Sequence, residues 1–149
     1  HSISFSFNAK SLESFKTNDW ASTFTLAWNE IFACIAPLMI HEANEYVLKQ
    51  ALDNLSETKT RERLQKEKKL AHHELRSFSI SQDDFQTIKV QLRALGLIAK
   101  SDKARSLKDS GTYWSLTPYG DEIMTQIIAI RRNEDDSPTS TEVVAGGEE

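Results

Sequence analysis

The chain has 149 residues, of which 39% are hydrophobic and 27% are charged. These values are ordinary for a soluble protein and suit one domain with its own core. The longest apolar run, residues 31–40, is far too short to span a bilayer, and no signal-peptide pattern is present. The single cysteine, Cys34, excludes a disulfide framework and favours a reducing, cytoplasmic compartment.

The net charge of −4 is unevenly distributed along the chain. Residues 133–149 contain six acids and no base, which leaves 18 basic and 16 acidic side chains, a net charge of +2, in residues 1–132. The last segment also has little to bury, so we expect a disordered acidic tail at 133–149. Because the chain begins with His1 and not with methionine, we expect it to be a piece of a longer protein.

Two extended segments are predicted near the start of the chain. Hydrophobic residues and serines alternate over residues 2–7, which is typical of a half-buried strand. A polar connector at 8–19 leads to a second extended run at 22–26. We expect the two runs to pair as antiparallel strands, so that residues 1–26 form a strand pair that packs either on the helices or on missing upstream sequence.

Three helical segments are predicted next. The first starts at Trp28, and Pro37 should kink or divide it because proline lacks a backbone donor. The second covers 42–55, where Glu45 and Lys49 form a favourable surface pair. Its predicted inward residues are Tyr46, Val47 and Leu52. The third, at 57–76, is rich in charge and is expected to present a solvated face, with a phosphate-contacting helix as the alternative.

A further helix is predicted at 82–95. Ser81 can accept from the backbone N–H of Asp84 while Asp84 reaches back, as in a capping box. The inward stripe of this helix consists of Phe85, Ile88, Leu92 and Leu95. Gly96 supplies a left-handed residue that ends it.

A hairpin and a closing helix complete the predicted elements. Strand-forming residues flank a polar, glycine-terminated loop, which predicts a hairpin at 97–117 with its loop at about 100–111. Thr117 is a suitable N-cap and Pro118 suits the first helical position. The closing helix is expected to run to about Arg132.

The segments LGLI at 95–98 and WSLTPYG at 114–120 flank the basic loop. This arrangement resembles the end of the winged-helix superfamily, in which a recognition helix runs into LGLI, a wing and a W-x-L-T-x-x-G junction. The resemblance implies a winged-helix domain over 27–132, within a mainly α fold that has a small antiparallel β component. Winged helices read DNA, read RNA or dock proteins, so the fold alone does not identify the ligand.

The chain also looks like the C-terminal region of a bacterial family of uncharacterised proteins. The similar segments are WNEIF at 28–32, IAPL at 35–38, QLRALGLI at 91–98, LTPYGD at 116–121 and AIRR at 129–132. Members of that family carry an N-terminal domain similar to TIR and nucleoside deoxyribosyltransferase domains, and the resemblance covers about residues 22–132. It implies that any nucleotide chemistry belongs to a domain outside this chain, which would be the accessory or sensing part.

No catalytic, metal or cofactor site is predicted. His72 and His73 point about 100° apart on a helix, and no histidine has the spacing of a metal site. The sequence has neither a glycine-rich phosphate loop nor a nucleophile elbow. The carboxylate pairs at 83–84 and 121–122 lie in first helical turns, where acids are favoured for structural reasons.

DNA binding is the favoured hypothesis for function. The outer face of the 82–95 helix and the hairpin loop carry amides and bases that can read base edges and neutralise phosphates. The predicted nucleic-acid-binding residues are Gln86, Lys89, Arg93, Lys100, Lys103, Arg105 and Lys108. Two observations argue against DNA binding: the acids at 83–84, and the modest net charge of +2 in residues 1–132.

Protein recognition is the competing hypothesis. The closing helix has more apolar surface than one stripe needs, and Met124 and Ile128 are the candidate interface residues. The partner would be another protein, the missing N-terminal domain or a second copy in a homodimer. The alternative is that both faces of this helix are buried within the fold. Neither a membrane nor a small-molecule substrate is indicated.

Overall fold

Over residues 1–67 and 73–135, which the computed structural model describes, the chain is a mixed α+β protein. Its elements in order are β1 (Ser2–Ser11), β2 (Thr17–Thr25), α1 (Trp28–Ile35), a 3₁₀ helix (Ala36–Met39), β3 (Ala43–Asn44), α2 (Glu45–Glu67), β4 (His73–Ile80), α3 (Gln82–Ala94), β5 (Ile98–Lys100), β6 (Tyr113–Leu116) and α4 (Pro118–Asp135). The strands form two antiparallel sheets, ordered β2-β1-β4 and β3-β6-β5.

The first sheet is built around β1. The alternating pattern buries one face of this strand, and the buried residues are Ile3, Phe5, Phe7 and Ala9. The predicted antiparallel pairing with the second extended run is confirmed, although both strands are longer than predicted and the turn between them is short. Because β4 pairs with the other edge of β1, the sheet joins residues 1–26 to the later part of the chain.

The helix predicted at 57–76 is wrong in its second half. α2 is continuous from Glu45 to Glu67, residues 68–72 lie outside the described part of the chain, and a strand begins at His73. β4 fills the free edge of β1 and buries Leu75 and Ile80, with a bulge at Ser77, where φ is 58°. This pairing with a distant strand determines the conformation more strongly than the local charge pattern does.

The second sheet contains the predicted hairpin. β5 and β6 pair antiparallel, and Ile98 lies opposite Leu116. A third strand, β3, was not predicted; it has only two residues and pairs Ala43 with Trp114. The predicted interruption at Pro37 is confirmed, since α1 ends at Ile35 and a 3₁₀ helix follows.

The helices bury their apolar sides in a core that also contains the inner face of the first sheet. Fully buried side chains include Phe32 and Ile35 of α1, Leu48 and Leu52 of α2, and Phe85, Ile88 and Leu92 of α3. α4 continues to Asp135, slightly beyond its predicted end at about Arg132. The remainder of the predicted acidic tail lies outside the described residues.

Candidate functional site

The N-terminus of α3 is hydrogen-bonded to the first sheet. Ser81 Oγ accepts a 3.1 Å hydrogen bond from the backbone N–H of Asp84, as predicted. The reciprocal half of the capping box is replaced: Asp84 Oδ2 accepts from the Ser81 hydroxyl at 2.8 Å and from the Ser4 backbone N–H at 2.7 Å. Asp84, one of the two acids in the first turn of α3, therefore holds this helix on β1.

Lys89 does not lie on the solvent face of α3, which corrects its predicted role. Its side chain is only 7% exposed, and its ammonium donates to Glu45 Oε1 at 2.7 Å. The ammonium also lies 4.7 Å from the centroid of the Phe85 ring. The Lys89 side chain is buried because Glu45, at the start of α2, faces this edge of α3. Its carboxylate offsets the free-energy cost of burying the ammonium.

Glu45 connects three elements at one point. Its Oε1 atom accepts from Lys89 and also from the indole Nε1 of Trp114 at 3.0 Å, while its backbone N–H donates to the carbonyl of Thr112 at 3.0 Å. Burial raises the pKa of Glu45, but the hydrogen bonds from Lys89 and Trp114 and the charges of Lys89 and Lys100 outweigh it and lower the pKa overall. The site therefore contains an ionised carboxylate at neutral pH.

A cleft of about 330 Å³ lies between α3 and the β5–β6 hairpin, beside this carboxylate. It brings together four of the seven predicted nucleic-acid-binding residues with four others. The lining residues are Glu45, Gln86, Lys89, Val90, Arg93, Lys100, Thr112 and Trp114. Gln86, Arg93 and Lys100 are exposed, and the Arg93 guanidinium lies 6.0 Å from the Trp114 ring centroid.

Arg105 is held inside the hairpin loop, which corrects its prediction as a free base. Its guanidinium forms a 2.5 Å ion pair with Glu42 Oε2 and stacks 3.3 Å from the centroid of the Tyr113 ring. The Ser101 hydroxyl donates to the same carboxylate oxygen at 2.8 Å. Arg105 thus connects the loop to the residue just before β3, whereas Lys103 and Lys108 are exposed on the loop.

The end of the loop has its own hydrogen bonds. Asp109 accepts from the backbone N–H of Gly111 at 2.9 Å and from the Tyr113 hydroxyl at 2.8 Å, and the first of these bonds is the main reason that its pKa is lowered. The hydrogen bond from Arg105 similarly lowers the pKa of Glu42. The loop is therefore shaped by two ionised carboxylates before any ligand binds.

These carboxylates predict a loss of stability in acid. The pKa values of Glu42, Glu45 and Asp109 are lower in the folded chain, so their stabilisation is complete above the unfolded values of about 4 and is lost as pH falls through the folded values. We expect the urea midpoint to fall as pH is lowered from about 5 to about 3. The Glu42→Gln variant should show a shallower fall, and an unchanged slope would contradict this account of Glu42.

The two candidate interface residues of α4 differ in accessibility. Met124 is only 7% exposed and belongs to the core, so it is not available to a partner, because the first turns of α4 pack on α1 and the second sheet. Ile128 is 38% exposed, and Ile130, two residues further on, is 58% exposed. Apolar side chains of α4 therefore reach solvent at Ile128 and Ile130, and also at Tyr119 in its first turn, which is 53% exposed.

No group of three or more potential metal ligands occurs among residues 1–67 and 73–135. His41 is exposed, His73 lies on β4 and not on the predicted helix, and His72 is outside the described residues. Burial raises the pKa of the Cys34 thiol, which donates to the Ala51 carbonyl at 3.6 Å. In the part of the chain that the structure describes, no helix is both long enough and apolar enough to cross a bilayer.

Sequence reasoning missed the acids of the site. Glu45 was assigned to Lys49, but Lys49 instead pairs with Asp53 at 3.4 Å. The partners of Glu45 lie 44 and 69 residues away, and those of Glu42 lie 59 and 63 residues away. No local spacing could have indicated these contacts.

Comparison of the chain with protein-family models, with curated proteins and with solved structures found no match in any of the three.

Proposed function

We propose that this chain is a non-catalytic, winged-helix recognition module that binds duplex DNA through α3 and the β5–β6 hairpin. The observation that carries this proposal is the cleft that sets exposed bases of the helix and of the hairpin side by side. Arg93 comes from the helix side and Lys100 from the hairpin side, with Gln86 beside them. An amide next to two bases is suited to contact base edges and phosphates together.

The charges of the face support the proposal. Among the described residues, none of the exposed bases Arg93, Lys100, Lys103 and Lys108 forms an ion pair. A base without an acidic partner can neutralise a phosphate and release its counterion, which drives association with nucleic acid. Of the two acids in the first turn of α3, Asp84 is occupied by Ser4 and Ser81, which leaves Asp83 as the exposed one.

The test is binding of an unphosphorylated mixed-sequence duplex, measured by fluorescence anisotropy at low and at physiological salt. The Lys103→Gln/Lys108→Gln variant should bind more weakly, and the slope of log affinity against log salt should become shallower by roughly 1–2. The matched control is Lys10→Gln/Lys16→Gln, which removes the same charge at the β1–β2 turn. Lys10 lies about 20 Å along β1 from Ser4, the residue that contacts α3.

Two results would contradict the proposal. One is absence of duplex binding by the unaltered chain at low salt. The other is an equal loss of affinity in both double variants, which would mean that only net charge matters. In either case the second candidate function becomes protein docking through the end of α4, a reading favoured by the exposure of Ile128 and Ile130.

A further inference from the structure

The cleft between α3 and the hairpin is lined by more cations than anions. Three cations, Lys89, Arg93 and Lys100, line it together with one carboxylate, Glu45. Since the carboxylate is ionised and already shared by Lys89 and Trp114, the lining carries a net charge of +2. Like charges that converge in a concave site are stabilised by a bound anion.

Two of the three cations have side-chain contacts that position them before a ligand arrives. Lys89 is fixed at the back of the cleft by its ion pair, and the Arg93 guanidinium lies beside the Trp114 ring. Lys100 has Trp114 as its cross-strand neighbour, so the sheet fixes its backbone beside the cleft, while its side chain is exposed. The part of the site formed by Lys89 and Arg93 is therefore pre-organised and loses little freedom when it binds.

We propose that this cleft binds a phosphate monoester. At neutral pH such a group carries a charge of about −1.5 to −2 and three acceptor oxygens, which matches the net charge and the donors of the cleft. The guanidinium of Arg93 suits bidentate contact with two of these oxygens, and Lys100 supplies a point charge. The amide of Gln86 and the hydroxyl of Thr112 are neutral donors in the same lining.

The volume of the cleft leaves room for an organic body attached to the phosphate. About 330 Å³ is at the lower end of the range for small-molecule sites, roughly 300–1,000 Å³. A phosphorylated nucleoside-sized molecule fits this description, either free or as the 5′-phosphorylated end of a nucleic-acid strand. The second source rests on the proposed function, whereas the first does not.

Calorimetric titration in phosphate-free buffer tests the cleft with AMP, inorganic phosphate and adenosine. AMP and phosphate should bind and adenosine should not, and AMP affinity should increase as pH rises through about 6, where the monoester loses its second proton. Arg93→Gln/Lys100→Gln should weaken AMP binding by about tenfold or more, since two charge-assisted contacts are lost. Lys10→Gln/Lys16→Gln, which removes the same charge and leaves the cleft lining intact, should stay within about twofold of the unaltered chain.

Three results would overturn the inference: no AMP binding, equal binding of AMP and adenosine, or an unchanged affinity in Arg93→Gln/Lys100→Gln. Circular dichroism of each variant checks that it is folded, and Arg93→Lys, which keeps the charge but loses the planar fork, should bind AMP with intermediate affinity. An affinity of Arg93→Lys as low as that of the double variant, in a folded protein, would exclude charge as the basis of recognition.

Two duplexes that differ only in a 5′-phosphate separate this inference from the proposed function. If both the cleft and the DNA proposal hold, the phosphorylated duplex binds more tightly, and Arg93→Gln/Lys100→Gln removes that advantage. If AMP binds and neither duplex does, the phosphate-binding inference is supported and the DNA-binding proposal is contradicted. If both duplexes bind equally and AMP does not bind, DNA binding stands and the cleft inference fails.

Discussion

Replacement of Gly120 by alanine is expected to destabilise the fold by about 3 kcal/mol or more. An added Cβ would lie 1.9 Å from the carbonyl oxygen of Leu97 and 2.8 Å from its carbonyl carbon. Both atoms belong to the backbone, so no side-chain rotation relieves the clash. Gly120 lies inside the first turn of α4, where alanine would otherwise stabilise the helix by roughly 1 kcal/mol, so packing and helix propensity predict opposite signs.

Gly96→Ala is the matched comparison. Gly96 has φ +73°, yet an added Cβ would meet nothing within 4 Å, so the expected cost is the conformational one alone, about 1–2 kcal/mol. Urea denaturation of the two variants should place Gly120→Ala well below Gly96→Ala in stability. A Gly120→Ala variant as stable as the unaltered chain would mean that α4 does not approach Leu97 as closely as described.

The two glycines belong to one corner of the fold. The Thr117 hydroxyl donates to the Gly96 carbonyl at 2.5 Å, and the Thr117 backbone N–H donates to the Leu97 carbonyl at 3.1 Å. The hydroxyl of Thr117 also accepts from the backbone N–H of Gly120 at 2.9 Å. The segments LGLI and WSLTPYG therefore occur in the same chain for a physical reason: the turn after α3 and the start of α4 are hydrogen-bonded to each other.

The sequence predicted this corner well because its determinants are local. The Ser81 cap, the left-handed Gly96 and the Thr117 cap each depend on residues within a few positions, and the β5–β6 pairing joins two strands that follow each other directly in the chain. Capping and turn preferences act over that distance and leave a readable pattern. The winged-helix assignment itself remains a proposal built on these elements.

Burial was predicted less well where the apolar stripe is ambiguous. Of the α2 residues predicted to face inward, Leu52 is buried, but Tyr46 and Val47 are exposed and Leu48 is buried in their place. Leu95 was assigned to the inward stripe of α3 but lies at the C-cap and is exposed. A helix can be rotated by about 100° without much change in its local pattern, so the tertiary neighbours decide which face is buried.

The charged residues of the candidate site were the least predictable part. Gln86, Arg93 and Lys100 do lie together in the cleft, but Lys89 and Arg105 are paired with acids of the segment around β3. From sequence, a base on the polar side of a helix appears free whether or not a distant carboxylate meets it. Only the folded structure therefore shows which bases are free to bind a ligand and which are paired with an acid.

The pair of Glu45 and Lys89 gives the second large effect. We expect Glu45→Ala to destabilise the chain by about 3 kcal/mol, because it leaves a buried ammonium without its carboxylate and the Trp114 indole without its acceptor. Lys89→Met should cost only roughly 1 kcal/mol, since methionine keeps most of the packing and Glu45 retains the bond from Trp114. The asymmetry follows from exposure: the Lys89 side chain is 7% exposed, whereas that of Glu45 is 31% exposed.

Urea denaturation of Glu45→Ala, Lys89→Met and the double variant measures both costs and their coupling. In the double variant no buried cation remains, so its stability should lie above that of Glu45→Ala although it has lost more contacts. This inversion is the decisive result, because a chain stabilised merely by the sum of the two side chains would show the double variant as the least stable. Equal costs for the two single variants would show that the Lys89 ammonium reaches water once its partner is removed, and that the cleft is shaped by packing and not by this ion pair.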